Sequence, residues 1–215
     1  MKTPTSDLQR IDEILGRAPV LPVLTVRDVD HAVPLAEALR DAGLPVLEVT
    51  LRTDCALDVI RKLRDEVDGI AVGAGTILSG EDLERVAAAG AEFAISPGST
   101  PALYQAAASV EIPFIPAVAT ASELLAGMEA GYRRFKFFPA EASGGVAALK
   151  SFAGPFAEAR FCPTGGIAPG NAADYLRLDN VMTVGGSWMV PTDAVESGDW
   201  DRIKALARDA VNLLT

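Results

Sequence analysis

Short β-rich runs alternate with helix-patterned segments along the whole chain, and this alternation limits the possible folds more than any other feature. The eight runs are PVLPVLTV, PVLEVTL, GIAVGA, AEFAIS, IPFIPAV, RRFKFF, ARFCPT and NVMTVGG, beginning near positions 19, 45, 69, 91, 112, 133, 159 and 180. Between them lie amphipathic patterns such as HAVPLAEALRDAG, ALDVIRKLRDEV and EDLERVAAAG, several closing on Gly43 or Gly90 at the C-terminal position that needs a left-handed residue. Strand followed by helix at this interval indicates parallel βαβ units. Eight units joined by short connections fit a closed (β/α)8 barrel, the TIM barrel, better than an open doubly wound sheet. With no linker or low-complexity segment, residues 1–215 read as a single α/β domain, and residues 4–17 read as an extra N-terminal helix covering one end.

Composition narrows the function. A net charge of −10 argues against a nucleic-acid surface, and it means that a site for an anionic substrate needs local positive charge. No apolar run approaches a membrane span, and the start MKTPTSDLQRIDEIL lacks the basic and apolar regions of a signal peptide. Cys55 and Cys162 form no disulfide framework and no CxxC pair, so both read as small buried residues in a cytoplasmic protein. His31 is the only histidine, which excludes a histidine-rich metal site and a Ser-His-Asp triad; the residue itself reads as solvated, in the first turn of a helix. Neither a Walker motif nor GxGxxG is present.

In such a barrel the chemistry lies at the C-terminal ends of the strands, and side chains alternate between two faces. In PVLEVTLR, Val46, Glu48, Thr50 and Arg52 share one face; Leu47, Val49 and Leu51 share the other and should meet the helices. Glu48 and Arg52 are therefore expected to point into the barrel mouth. In RRFKFFPAE, Lys136 and Phe138 lie opposite Phe135 and Phe137. A lysine among phenylalanines is costly unless it is neutral or paired. An ordinary lysine, with a pKa of about 10.4, is neutral in only about one molecule per few thousand at pH 7. Desolvation and a nearby cation such as Arg52 would raise that fraction and make an amine nucleophile. A structural lysine paired with Glu48, or reaching out of the strand end, is the other reading. Glu48 across the mouth suits the proton transfers of amine catalysis; Glu141, beyond Pro139 and Ala140, suits a loop or capping role better.

Two glycine-rich strand ends, Thr164-Gly165-Gly166 and Gly185-Gly186-Ser187, suggest a phosphate site. Loops after the last two strands of this fold commonly cradle phosphate with backbone N–H groups, and Ser187 or Thr164 adds a hydroxyl.

The motifs VLEVTLRT ending at Thr53, VGAGT at 72–76, AISPG at 94–98, FKFFPAE at 135–141, FCPTGGI at 161–167 and GGSW at 185–188 together span nearly the whole barrel. In this the chain resembles the 2-keto-3-deoxy-6-phosphogluconate (KDPG) and 4-hydroxy-2-oxoglutarate aldolase family. The resemblance implies reversible cleavage of KDPG to pyruvate and D-glyceraldehyde 3-phosphate without metal or organic cofactor. It also implies a Schiff base on Lys136 and general acid/base work by Glu48. It assigns the pyruvate carboxylate and keto-acid portion to Arg52 and Thr76, packing around pyruvate to Pro97 and Phe138, and stereoselectivity to Thr164. Gly165, Gly166, Gly186 and Ser187 match the phosphate pocket, and a homotrimer is implied. Strand five departs from the family at Ala117, usually glycine, and at Ala119, usually a small hydroxyl or thiol residue; this bears on substrate tuning rather than on the reaction.

Three other readings stay open on the sequence. A barrel lyase or isomerase acting on another phosphorylated sugar acid would share the phosphate loops without needing an imine. A non-catalytic phosphosugar-binding barrel would bind without turnover. A metal-dependent aldolase is the weakest, since no cluster of ligands replaces the missing histidines.

Overall fold

The computed structural model describes residues 7–213. Residues 4–6 of the expected N-terminal helix lie outside them, and the remainder folds as α1 (Leu8–Leu15). The strands are β1 (Val20–Leu24), β2 (Val46–Thr50), β3 (Ala71–Gly75), β4 (Phe93–Ile95), β5 (Phe114–Ile115), β6 (Ala117–Val118), β7 (Arg134–Phe137), β8 (Arg160–Pro163) and β9 (Val184–Gly186). Every strand pair is parallel. Between the strands run α2 (Ala32–Asp41), α3 (Ala56–Glu66), α4 (Gly80–Ala88), α5 (Pro101–Ala107), α6 (Ala121–Glu129), α7 (Gly145–Ala153) and α8 (Pro169–Leu176), with α9 (Thr192–Ser197) and α10 (Trp200–Val211) following β9. None of these helices is long and apolar enough to cross a membrane.

The fifth run is divided, and the reason is local. Pro116 has no N–H to donate, so the pairing with β4 stops at Ile115 and the pairing with β7 starts at Ala117. The parallel sheet therefore falls into a six-stranded part, β5-β4-β3-β2-β1-β9, and a three-stranded part, β6-β7-β8. At the other seam β8 meets the last run through the pairs Phe161↔Val181 and Thr164↔Gly185. There the Met182 N–H donates to the Phe161 carbonyl at 2.9 Å. The result is an α/β fold around a curled parallel sheet.

Helix boundaries follow side-chain chemistry. Ser79, Thr100 and Asp199 each accept a hydrogen bond from a first-turn N–H, and Thr120 forms a reciprocal capping box with Glu123. Gly43 and Gly90 follow α2 and α4 with φ of +101° and +89°, the left-handed stop anticipated from their positions.

Alternation along the strands divides the core in two. Leu47 and Val49 face the helices, in a cluster with Leu35, Leu39, Ile60 and Leu63. The opposite face packs Leu21, Val46, Phe93, Ile95, Ile115 and Cys162 against Ile11, Ile14 and Leu15 of α1. Glycine makes room here, because a Cβ on Gly73 would lie 2.1 Å from the Phe93 ring. Val46 and Ala71 open their strands, so α1 seals the N-terminal end of the sheet. Asp12 fastens it there, its carboxylate accepting from Arg134 Nε and Nη2 at 2.5 and 2.6 Å. Leu15→Ala should destabilise the protein by about 2–5 kcal/mol in urea unfolding. Leu125→Ala, on a side chain 53% exposed, should change stability by no more than about 0.5 kcal/mol. Equal effects would show that α1 is not part of the core.

Candidate active site

Glu48 is the third residue of β2 and Lys136 the third of β7, both on the inward face. Their side chains meet across the interior, with Lys136 Nζ donating to Glu48 Oε1 at 3.0 Å and to Oε2 at 3.3 Å. Only 1% of Glu48 and 4% of Lys136 is exposed. Taking either charge out of water alone would cost several kcal/mol, so each is tolerated because the other is present. The pairing has a steric condition on β3, where a Cβ on Gly75 would fall 2.1 Å from Glu48 Oε1. Gly75 was not singled out from the sequence. A glycine inside a strand beside an inward carboxylate was the available signal.

The surroundings of the amine are mixed. Its Nζ lies 5.5 Å from the centroid of the Phe138 ring, as expected of two residues on one face. In the ladder Lys136 stands between Ala117 on β6 and Cys162 on β8, both buried. The Ala117 methyl thus lies on the strand flanking the amine. Its N–H donates to Ser96 Oγ at 3.4 Å, and its carbonyl accepts from Ser99 Oγ at 3.4 Å. Pro97, between these serines, is half-buried. Ala119 lies past the strand and donates its N–H to Glu123 at the head of α6.

Arg52 lies just past the end of β2. It is exposed, and its Nε donates to Thr76 Oγ1 at 3.0 Å. The mouth therefore brings Arg52 and Thr76 together, and the polar partner of the amine is Glu48. Thr76 has φ of +63°, a left-handed conformation that costs a β-branched residue about 1–3 kcal/mol. Such strain persists where the surroundings enforce it, and here the residue next to Gly75 is held by the Arg52 hydrogen bond.

The last two strand ends adjoin through the Thr164↔Gly185 pair. Thr164 is buried, and a Cβ on Gly185 would come 2.2 Å from its Oγ1. Gly186 lies under the Trp188 ring, 1.9 Å from where a Cβ would sit. Ser187 is exposed and lines a cleft of about 430 Å³ with Thr25, Arg27, Asp28 and Thr192. Glu48 and Lys136 do not line that cleft, and both are buried. Glu141 occupies a 3-10 turn with its carboxylate accepting from the Tyr175 hydroxyl, which fits the loop role rather than that of a second acid.

His31 corrects the sequence reading: it ends a 3-10 turn, half-buried, with its ring edge-on to Trp200 at 5.6 Å. Cys55 is half-buried, and its Sγ donates to the Val26 carbonyl. No group of three histidine, cysteine, aspartate or glutamate side chains among the described residues is arranged to hold a metal ion. Burial pushes the Cys162 thiol up to about 12, opposed by the Lys136 charge and reinforced by that of Glu48. Since the thiolate is the reactive form, Cys162 should resist iodoacetamide at pH 8 in the folded protein and react once unfolded. Labelling of Cys162 in the native protein, located by peptide mass spectrometry, would contradict this placement.

Residues 11–206 match the family model described as KDPG and KHG aldolase. A "KHG/KDPG aldolase" of Escherichia coli (strain K12) is 56% identical over 93% of this chain and 94% of its own length. The KDPG aldolase of Legionella pneumophila, solved with pyruvate captured at low pH as a covalent carbinolamine intermediate, superposes with a TM-score of 0.91 at 45% identity, over 93% of this chain and 97% of its own. The Zymomonas mobilis ZM4 aldolase, solved with 3-phosphoglycerate, gives a TM-score of 0.89 at 47% identity, over 95% and 96% of the two chains. On these matches the chain belongs to the KDPG and KHG aldolase family.

Proposed function

We propose that this chain is a class I aldolase that reversibly cleaves KDPG to pyruvate and D-glyceraldehyde 3-phosphate, and 4-hydroxy-2-oxoglutarate to pyruvate and glyoxylate. The observation carrying the reading is the buried contact between Lys136 Nζ and both oxygens of Glu48. An ammonium must lose a proton before it can attack a carbonyl, and here a carboxylate stands within hydrogen-bond reach to take it. The Legionella relative with its pyruvate carbinolamine supports a covalent route.

In the cleavage direction Lys136 Nζ adds to C2 of the 2-keto acid, with its proton passing to Glu48. The carbinolamine then loses water to give the protonated imine, which withdraws electrons from C3. Glu48, again a carboxylate, removes the C4 hydroxyl proton directly or through water. The C3–C4 bond breaks, its electron pair forms an enamine, and C4 leaves as the aldehyde. Protonation of the enamine carbon and hydrolysis of the imine release pyruvate and restore the amine. The iminium nitrogen is the electron sink, so the sequence of steps calls for neither a metal nor an organic cofactor.

The remaining residues divide by the part of the substrate each would meet. Arg52 and Thr76, joined by their hydrogen bond, hold the pyruvate carboxylate and keto-acid portion. Pro97 and Phe138 pack around the pyruvate carbons. Thr164 faces the new stereocentre, and Gly165, Gly166, Gly186 and Ser187 take the phosphate. In this reading residues 1–215 are one domain, and the two parts of the sheet close through Pro116 and the β8–β9 contacts into a single (β/α)8 barrel. Assembly as a homotrimer in the cytoplasm belongs to the same reading and rests on the family resemblance.

Borohydride reduction in the presence of pyruvate should leave a three-carbon adduct on Lys136, read by peptide mass spectrometry. An adduct on Lys150 or another lysine, or appreciable activity of Lys136→Arg, would overturn the assignment. Glu48→Gln keeps the shape of the side chain and should lower kcat by about 10²–10⁴-fold. A loss below tenfold would remove Glu48 from the proton transfers.

A further inference from the structure

The turn proposed to hold phosphate has an unusual balance of donors and acceptors. Its three successive carbonyls are all occupied. Thr164 O accepts from the Ala140 N–H at 2.8 Å, Gly165 O from the Glu141 N–H at 3.1 Å, and Gly166 O from Asn171 Nδ2 at 3.1 Å. By contrast, the N–H groups of Gly165 and Gly166 find no acceptor among the described residues. Both glycines have positive φ, +100° and +78°, a backbone path that a side chain would strain. A turn whose oxygens are all taken and whose amides are open offers donors only, the electrostatic requirement for an anion.

Two of the three occupying donors are backbone groups that follow β7. The third is a side chain from the first turn of α8. The Asn171 amide bridges helix and loop, its Oδ1 accepting from the Ala168 N–H at 2.8 Å while Nδ2 donates to Gly166 O. The chemistry of its neighbours fixes this orientation, since a flipped amide would set oxygen against carbonyl and N–H against N–H. One turn later on the same helix, Tyr175 holds the Glu141 carboxylate, and Glu141 Cγ lies 2.7 Å from where a Cβ on Gly166 would be. Glu141 thus packs against Gly166 while Asn171 holds the Gly166 carbonyl.

We infer that Asn171 is a positioning residue for phosphate recognition, holding the Gly166 carbonyl away so that the Gly165–Gly166 amides remain available to the substrate phosphate. The inference rests on the phosphate pocket described under the proposed function. Asn171 touches neither substrate nor the reacting atoms. It determines how strongly the site prefers phosphorylated keto acids.

The test is the ratio of kcat/KM for KDPG to that for 4-hydroxy-2-oxoglutarate, which carries no phosphate. Asn171→Asp keeps the acceptor for the Ala168 N–H but removes the donor and sets a carboxylate oxygen against Gly166 O. The ratio should fall about tenfold, the scale of one lost hydrogen bond plus a displaced carbonyl. The loss should appear in KM for KDPG, with kcat within about twofold. Asn171→Ala should show the same direction with a smaller fall. Pyruvate trapping on Lys136 in each variant checks that the reactive pair is intact. An unchanged ratio overturns the inference, whether both substrates are spared or both lose activity equally. Ser187→Ala, measured alongside, separates the two levels. If it lowers the ratio while Asn171→Asp does not, the clamp alone fails; if neither lowers it, the phosphate pocket fails and takes the clamp with it.

Discussion

Two opposite charges removed from water and set against each other are what the rest of this molecule is arranged around. Glu48 and Lys136 come from strands 88 residues apart in sequence, and neither tolerates burial without the other. Their meeting requires a parallel sheet curled far enough to bring β2 and β7 opposite each other. It also requires an inward face at both positions and a missing side chain at Gly75. On the proposed function, the contact that makes the pair stable also makes it reactive. A carboxylate close enough to satisfy an ammonium is close enough to exchange a proton with it.

Much of this was legible in the sequence because period and composition carry it. Alternation in VLEVTL separates Leu47 and Val49 from Glu48, and the two clusters fall on the faces that parity assigns. The helix stops at Gly43 and Gly90 were equally plain. What escaped was geometry set by a third partner. Parity puts Arg52 on the face of Glu48 but does not show its hydrogen-bond partner. In space the left-handed backbone at Thr76 brings a hydroxyl within its reach, and the arginine is exposed. The split of the fifth run at Pro116 was visible as a residue but not as an interruption, because ladder hydrogen bonds depend on both neighbours. Asn171 gave no signal at all, since a polar residue in a first helical turn looks like an ordinary cap.

The site also separates two tasks that are often mixed. On the proposed function, covalent chemistry falls to strands, at the buried positions of Glu48 and Lys136. Anion recognition would then fall to loops after the last two strands, where Trp188 lies over Gly186. Loops of this kind vary at little cost to the core. The reaction and the preference for a charged tail are therefore separable in the architecture: changes around Gly166 and Ser187 can alter what is cleaved without disturbing how.

The seal formed by α1 has a consequence for traffic. Ile11, Ile14 and Leu15 close the end of the sheet from which the strands begin, and the Asp12–Arg134 clasp ties that seal to the strand bearing the amine. On the proposed function, a keto acid bonded to Lys136 would therefore arrive, and its products depart, past the C-terminal ends of the strands, on the side opposite α1.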